Sequence, residues 1–139
     1  MLTSKDVQTY LYQILCDSTL FSMVSGAIYR AGYRPRNSQD EDIIISFTAG
    51  SVGDIESGVV TLNIYVPDID PFDNGLFVED GERTTELEKF SQEWVDSLTV
   101  ANSNFRFHLM QTIYTEQDKD IQQHFIVIRL GYDYYKDNI

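Results

Sequence analysis

The chain has 139 residues, 22 of them acidic and 10 basic, so its formal net charge is −12. This length fits one domain over residues 1–139, and the 42% hydrophobic content supplies one apolar core and argues against global disorder. The excess of carboxylates disfavours specific nucleic-acid binding, which needs clustered cations, and disfavours contact with an anionic membrane. No stretch approaches the roughly 20 apolar residues of a membrane-spanning helix, and the first residues lack the cationic start of a secretory signal. We therefore expect an intracellular protein.

The first elements predicted are a helix, a further helical turn and a short strand. Thr3 or Ser4 can cap a helix over about 4–16, because apolar residues recur there at helical spacing. These residues are Val7, Tyr10, Leu11, Ile14 and Leu15. One more helical turn is expected within 20–24, followed by a strand at about 27–30.

The next segment, about 30–41, combines charge with turn-forming residues and predicts a loop or protruding arm. It carries Arg34 and Arg36 and runs into the acidic triplet 40–42. These carboxylates could serve general acid–base chemistry, but local ion pairing with the arginines explains them more simply. Two strands should follow, at about 42–48 and 59–66.

A loop of about 15 residues, 67–81, comes after the third strand and is long for a compact domain. It contains too many apolar residues for a solvated linker, so we expect them to pack on this subunit or on a neighbour. They are Ile69, Phe72, Leu76, Phe77 and Val78. The acidic residues within 68–80 could bind calcium, but Asp73 stands where a helix–loop–helix calcium site needs glycine. A solvated acidic loop is the better interpretation.

The last part of the chain predicts a helix at about 82–99 and then a β-hairpin that turns at Asp118 and Lys119. Hydrophobicity fixes an expected register, in which Phe105 pairs with Tyr132 and the series continues to Ile113 with His124. One face of this hairpin is apolar, whereas the other mixes polar groups with Met110, Phe125 and Val127.

The order of these elements is α-β-β-β-α-β-β, without βαβ alternation. It predicts an α+β fold with an antiparallel, mainly five-stranded sheet and two main helices packed on one face.

Two histidines and one cysteine are the remaining candidates for chemistry. The expected register places His108 and His124 on opposite faces, so they do not share a metal or acid–base site. Cys16 ends the apolar pattern of the first helix, and we expect a buried, unreactive thiol. No phosphate-binding lysine motif, nucleophile elbow or zinc-protease motif is present. The sequence gives no positive sign of a catalytic residue, metal site or cofactor, and we expect a protein that is not an enzyme.

Two motifs carry a resemblance to a known class of proteins. The first is Arg34-Pro35-x-Asn37-Ser38-x-x-Glu41-Asp42, which leads into Ile43-Ile44-Ile45, and the second is Asn63-Ile64-Tyr65-Val66-Pro67-Asp68. With the order of elements, they resemble small phage and prophage tail-completion proteins of Bacteroides-like bacteria, of the tail-terminator or head–tail joining type.

That resemblance implies a structural virion component which self-assembles into a ring, commonly a hexamer, with the tail-tube and connector proteins as partners. It implies assembly in the bacterial cytoplasm and, for an active prophage, a place in the virion. Arg34 and Arg36 would then pair with a neighbour's acids, and Phe72 and Phe77 would dock into the neighbour.

The residues themselves add a mixed sheet face with Met110 and Phe125, and a tyrosine-rich end at Tyr134 and Tyr135. Aromatic residues concentrate at the centres of interfaces, so these four join the expected contact residues. Two alternatives stay open. One is a monomeric binding module or enzyme that uses the acidic loop 68–80, for example to bind a metal ion, and the other is a generic interaction protein of a mobile element.

Overall fold

The computed structural model describes residues 1–98 and 104–136, and it confirms the α+β fold. Its helices are α1 (Ser4–Cys16), α2 (Thr19–Ser22) and α3 (Gly81–Ser97). Its strands are β1 (Ile28–Arg30), β2 (Ile43–Ser51), β3 (Ile55–Pro67), β4 (Phe105–Leu109), β5 (Tyr114–Asp118) and β6 (Gln123–Tyr135). The expected last residue of the second main helix, Thr99, lies outside the described residues.

These strands form one mixed, largely antiparallel sheet in the order β1-β2-β3-β6-β4, with β5 also paired to β6. The sheet has six strands instead of the expected five, because the strand expected as the fourth is interrupted between Leu109 and Tyr114 and forms β4 and β5. The first pair is parallel, with Ile28 beside Ile43, whereas an antiparallel sheet was expected. Parallel neighbours need a crossover, so residues 31–42 must run back along the sheet from the end of β1 to the start of β2.

The centre of the sheet is the antiparallel pairing of β3 with β6, which runs without a break from Ile55–Tyr135 to Pro67–Gln123. Side chains alternate between faces along each strand. The face towards the helices carries most of the apolar core, which comprises Val60, Leu62, Ile64, Val66, Ile126, Ile128 and Leu130. The helices add Val7, Leu11, Leu15, Leu87, Trp94 and Val95 to the same core.

The opposite face of the sheet, which we call the open face, receives no helix of the described chain. Its side chains are Ile44, Thr61, Asn63, Tyr65, Phe125, Val127 and Arg129. The helices therefore lie on one side of the sheet, as predicted. On the other side, only loops can cover the side chains within the subunit.

The start of α1 follows the sequence prediction. The Thr3 hydroxyl accepts a hydrogen bond from the Asp6 amide at 3.2 Å, and the Asp6 carboxylate accepts one from the Thr3 amide at 2.9 Å. This reciprocal capping lowers the pKa of Asp6, chiefly through the Thr3 backbone hydrogen bond.

The prediction that Cys16 is buried is wrong, because its thiol is exposed. The buried stripe of α1 ends at Leu15, and one residue further the helix has turned by about 100° away from the core.

The register expected for the last hairpin is also wrong. Phe107 pairs with Tyr132 and Tyr114 pairs with Val127, so β4 is displaced by two residues and β5 by four. The cause is that residues 110–113 oppose only Ile128 and Arg129 and bulge out of the ladder. Both displacements are even, so every paired residue of β4, β5 and β6 keeps its predicted face.

The core assignment can be tested with two leucines of opposite burial. We predict that Leu87→Ala, at a fully buried position of α3, lowers the free energy of unfolding by about 2–5 kcal/mol, because it leaves a cavity. Leu76→Ala, in the loop, should change it by less than about 0.5 kcal/mol. Urea unfolding of the dilute chain measures both, and equal losses would contradict the assignment.

Candidate interaction surfaces

Residues 31–41, which we call the arm, are tied down at Arg34. The Arg34 side chain is only 6% exposed, and its Nε donates to Asp42 Oδ2 at 2.7 Å. Its Nη2 donates to Gln123 Oε1 at 2.9 Å and to the Asp40 carbonyl at 3.1 Å, and the guanidinium lies 4.4 Å from the centre of the Tyr65 ring. The arm therefore packs across the open face at its Arg34 base instead of protruding there.

Asp42 is the buried counterion of this cluster. Burial alone would raise its pKa, but hydrogen bonds from the Ser38 hydroxyl, the Ala27 amide and Arg34 outweigh burial and hold the pKa below its usual value. Arg34 is thus neutralised within its own subunit. The expectation that Arg34 pairs with a neighbour's acid is corrected, because a buried charge keeps the partner that compensates its desolvation.

Arg36 has a different environment from Arg34. It is exposed, and no hydrogen bond or ion pair of its side chain occurs among residues 1–98 and 104–136. It stands on the rim of a cleft of about 460 Å³ between the arm and the β5–β6 turn, which we call the arm cleft. The cleft is lined mainly by Arg34, Pro35, Arg36, Ile44, Tyr65 and Ile121.

Two carboxylates of the acidic triplet 40–42 are engaged in separate ion pairs. Asp42 serves Arg34, whereas Glu41 binds Arg83 of α3 through Nε at 2.6 Å and Nη2 at 2.8 Å. Arg83 also donates to the Met23 carbonyl, and the hydrogen bond with Glu41 raises its pKa. Local ion pairing was the predicted role, but the partner of Glu41 comes from α3 instead of the arm.

The loop over 68–80 is a folded hairpin. A bridge pairs Ile69 with Val78, and both of their mutual backbone hydrogen bonds measure 2.9 Å. Within it, the Asp70 carboxylate accepts hydrogen bonds from the Asn74 and Gly75 amides at 3.1 and 2.8 Å. The loop therefore holds a defined shape even though few of its side chains are buried.

The apolar side chains of this loop stay uncovered in the subunit. Phe72 is 82% exposed and Leu76 69%, and about half of Phe77 and of Val78 is exposed. The sequence predicted that these residues pack either on this subunit or on a neighbour, and they do not pack on this subunit. An ordered loop that presents several large apolar side chains to solvent is a mark of an interaction site.

Four of the five carboxylates of the same loop have structural roles within the subunit. Asp68 lies 2.6 Å from His124 Nδ1, Glu79 accepts from the Thr84 hydroxyl at 3.1 Å, and Asp80 caps α3. No group of three or more metal-binding side chains occurs in the described ranges. His108 packs over Gly131 on the open face, so the two histidines point apart as predicted.

The remaining expected contact residues divide between surface and interior. Met110 is 48% exposed beside the open face, and Phe125 is half-buried with its ring centre 5.1 Å from that of Tyr65. Tyr134 packs on Phe105 at 4.8 Å and supports the core. Tyr135 is the more exposed tyrosine and lies under the Arg106 guanidinium. Val127, expected to be exposed with them, is buried.

Sequence reasoning missed two buried polar side chains. Gln123 is fully buried and joins the arm to β6, because its amide donates to the Ser38 carbonyl at 2.7 Å while its oxygen accepts from Arg34. Glu56 accepts from the Leu2 amide at 2.9 Å and lies 3.8 Å from Lys136. Nothing in the local pattern marks either residue, since both partners are distant in sequence.

Comparisons with known proteins add little to this geometry. No protein-family model matches the chain, and no curated protein matches it. A solved structure that is named only by a sequence identifier matches at 16% identity, with a TM-score of 0.48, over 92% of this chain and 89% of its own length. That likeness is too weak to support a conclusion. No described helix is long and apolar enough to cross a membrane.

The Arg34–Asp42 pair makes a pH-dependent prediction. The pKa of Asp42 is lower in the folded state than in the unfolded chain, where it is about 3.9. Its stabilising contribution is therefore complete above that unfolded value and is lost as the pH falls through the lower folded value. We predict that Asp42→Asn lowers the unfolding free energy by about 3–5 kcal/mol above pH 5, because it leaves Arg34 buried without its counterion.

Urea unfolding at several pH values measures this difference, which should shrink as the pH falls below about 4, because the unfolded wild-type chain then takes up a proton at Asp42 before the folded chain does. Asp54→Asn in the exposed β2–β3 turn is the matched control and should stay within about 0.5 kcal/mol of wild type. A pH-independent loss in Asp42→Asn would show that shape, not charge, holds the arm.

Proposed function

We propose that this protein is a non-enzymatic structural subunit of a phage or prophage tail, a tail terminator or head–tail joining protein that self-assembles into a ring. Its partners are other copies of itself and the tail-tube and connector proteins. Assembly takes place in the bacterial cytoplasm, and the ring enters the virion when the prophage is active. The observation that carries the proposal is the ordered loop 68–80 with its uncovered aromatic side chains.

Two physical features of this loop support a protein contact. Its backbone is fixed by the Ile69–Val78 bridge and the Asp70 turn, so little conformational freedom is lost on docking. Its large apolar side chains gain by leaving water, and aromatic anchors of this kind dominate the energetics of interfaces. A solvated loop of a monomer has no comparable reason to keep Phe72 and Leu76 outside.

The charge of the chain is consistent with a position around DNA. A net charge of −12 repels the phosphate backbone, so a ring of such subunits lets DNA pass through its lumen without adhering. The alternative of a metal-binding module receives no support, because four of the five loop carboxylates already bind His124, Thr84, the amides of the Asp70 turn and the start of α3.

The direct test of this function combines the purified chain with purified tail tubes. Negative-stain imaging should show a ring at one end of each tube, and native mass spectrometry of the released ring should give a single subunit number. Bare tube ends at saturating protein concentration would contradict the proposal.

The role of the loop can be tested separately. We predict that Phe72→Ser combined with Phe77→Ser reduces self-association and tube capping at least tenfold, which corresponds to about 1.4 kcal/mol of binding free energy. Sedimentation velocity and capped-end counts provide the measurements. Val52→Ser is the matched control, because Val52 is 67% exposed in the β2–β3 turn and should leave assembly unchanged. If the loop variant and the Val52→Ser control assembled equally well, the loop would not take part in the contact.

A further inference from the structure

We infer that the loop tip of one copy docks into the arm cleft of the next copy, so that the subunits join head to tail. The occupant of the cleft is thus a second copy of this chain, presenting Phe72 and Asp73. This inference rests on the proposed self-assembly and specifies which two surfaces make the contact.

The donor surface is the tip of loop 68–80. It places Phe72 beside Asp73, and Asp73 is held at a φ of 52°, in the left-handed region that tight turns use. The neighbouring hydrogen bonds from the Asn74 and Gly75 amides to Asp70 fix this turn. An aromatic ring and a carboxylate are therefore presented side by side on a fixed backbone.

The acceptor surface is the arm cleft on the open face. Ile44, Tyr65 and Ile121 give it apolar walls, and its volume of about 460 Å³ admits a side chain of the size of phenylalanine. Arg34 holds one wall in place through its buried network, so the cleft exists before any partner arrives. Arg36 stands at the rim with its guanidinium exposed.

Charge decides which partner fits the donor. Residues 68–80 contain five carboxylates and no lysine or arginine, whereas residues 28–39 contain three arginines and no carboxylate. Of those three arginines, Arg34 is neutralised by Asp42, and Arg30 lies over the Tyr33 ring and lines other surface clefts. The exposed Arg36 is therefore the rim charge of this cleft for a carboxylate such as Asp73. Asp118 also lines the cleft. Burial raises the pKa of Tyr65, the negative charge of Asp118 raises it further, and the positive charge of Arg34 lowers it.

The two surfaces face different directions, which makes the contact intermolecular. The loop base is held by His124 on the helix side of β6, while Gln123, its neighbour in the strand, points to the open face and holds the arm. Adjacent residues of a strand lie on opposite faces. A contact between two different patches is heterologous, and repetition of such a contact closes into a ring when the rotation allows it.

The test uses one variant that lacks the donor and one that lacks the acceptor. Phe72→Ser combined with Asp73→Asn disables the loop tip, because asparagine tolerates the left-handed backbone at this position and removes the charge, and Arg36→Glu reverses the charge at the cleft. All three positions are exposed, so thermal unfolding should match wild type. Sedimentation velocity then compares each variant alone, their equimolar mixture and wild type, at concentrations up to about 1 mM, where even a contact with a Kd of 1 mM is substantially populated.

The expected result is that wild type self-associates, each variant alone stays monomeric, and the mixture stops at a one-to-one dimer. In that dimer the intact loop of the Arg36→Glu copy occupies the intact cleft of the other copy, and neither can extend further. Val52→Ser mixed with Arg36→Glu should form dimers and longer oligomers of the Val52→Ser chain, because its donor and acceptor are both intact.

Three outcomes would overturn the inference: a wild-type chain that remains monomeric at 1 mM, a variant that still assembles alone, or a mixture that stays monomeric. The tail-capping experiment separates this failure from that of the function. If both variants cap tail tubes as wild type does, another surface joins the subunits and the function stands. If wild type caps no tube, the proposed function itself fails.

Discussion

The uninterrupted pairing of β3 with β6 is the constraint on which the rest of this structure depends. Thirteen residues of each strand are held in one register, so alternate side chains are assigned to one face or the other along the whole length. The helices bury the side chains of one face. Each helix has a single apolar stripe, which packs on that face, so no described helix covers the side chains of the opposite face. The open face, the arm that crosses it and the loop that leaves β3 at Pro67 all follow from this division.

A buried guanidinium then determines how much of the open face is covered. Removing a charge from water costs several kcal/mol unless hydrogen bonds and a counterion compensate it. The Arg34 guanidinium is compensated by Asp42, by the Gln123 side-chain oxygen and by carbonyls of the arm. This draws the base of the arm onto the sheet beside Tyr65. It also leaves Arg36, two residues further on, facing solvent. One arginine is buried in the subunit, and the other keeps an exposed charge.

Much of this architecture could be predicted from the sequence, because hydrophobic alternation is a property of each strand alone. The faces of β3, β4 and β6 and the capping of α1 by Thr3 follow from residues a few positions apart. The bulge at 110–113 could not be predicted, because its position depends on which residues of β6 are already paired with β3.

The candidate site was harder to predict than the fold, for the same reason. The partners of Arg34 and Glu41 are Gln123 and Arg83, which lie far away in sequence. The charge pattern indicated local ion pairing, and only the resemblance implied that both arginines of the arm lie at a subunit contact, although burial of Arg34 separates their roles. The exposed aromatic residues of the loop, in contrast, stood out in the sequence because no helical or strand period accounted for them.

The central claim is that the loop tip and the arm lie at subunit contacts. Hydrogen–deuterium exchange of the free chain and of the assembled ring tests it most directly, because it reports every amide of both segments without altering a residue. The account predicts slower exchange in the assembled form at residues 72–77 and 32–37, with the exposed side of α1 unchanged. Unchanged exchange in both segments, with new protection confined to other surfaces, would contradict it.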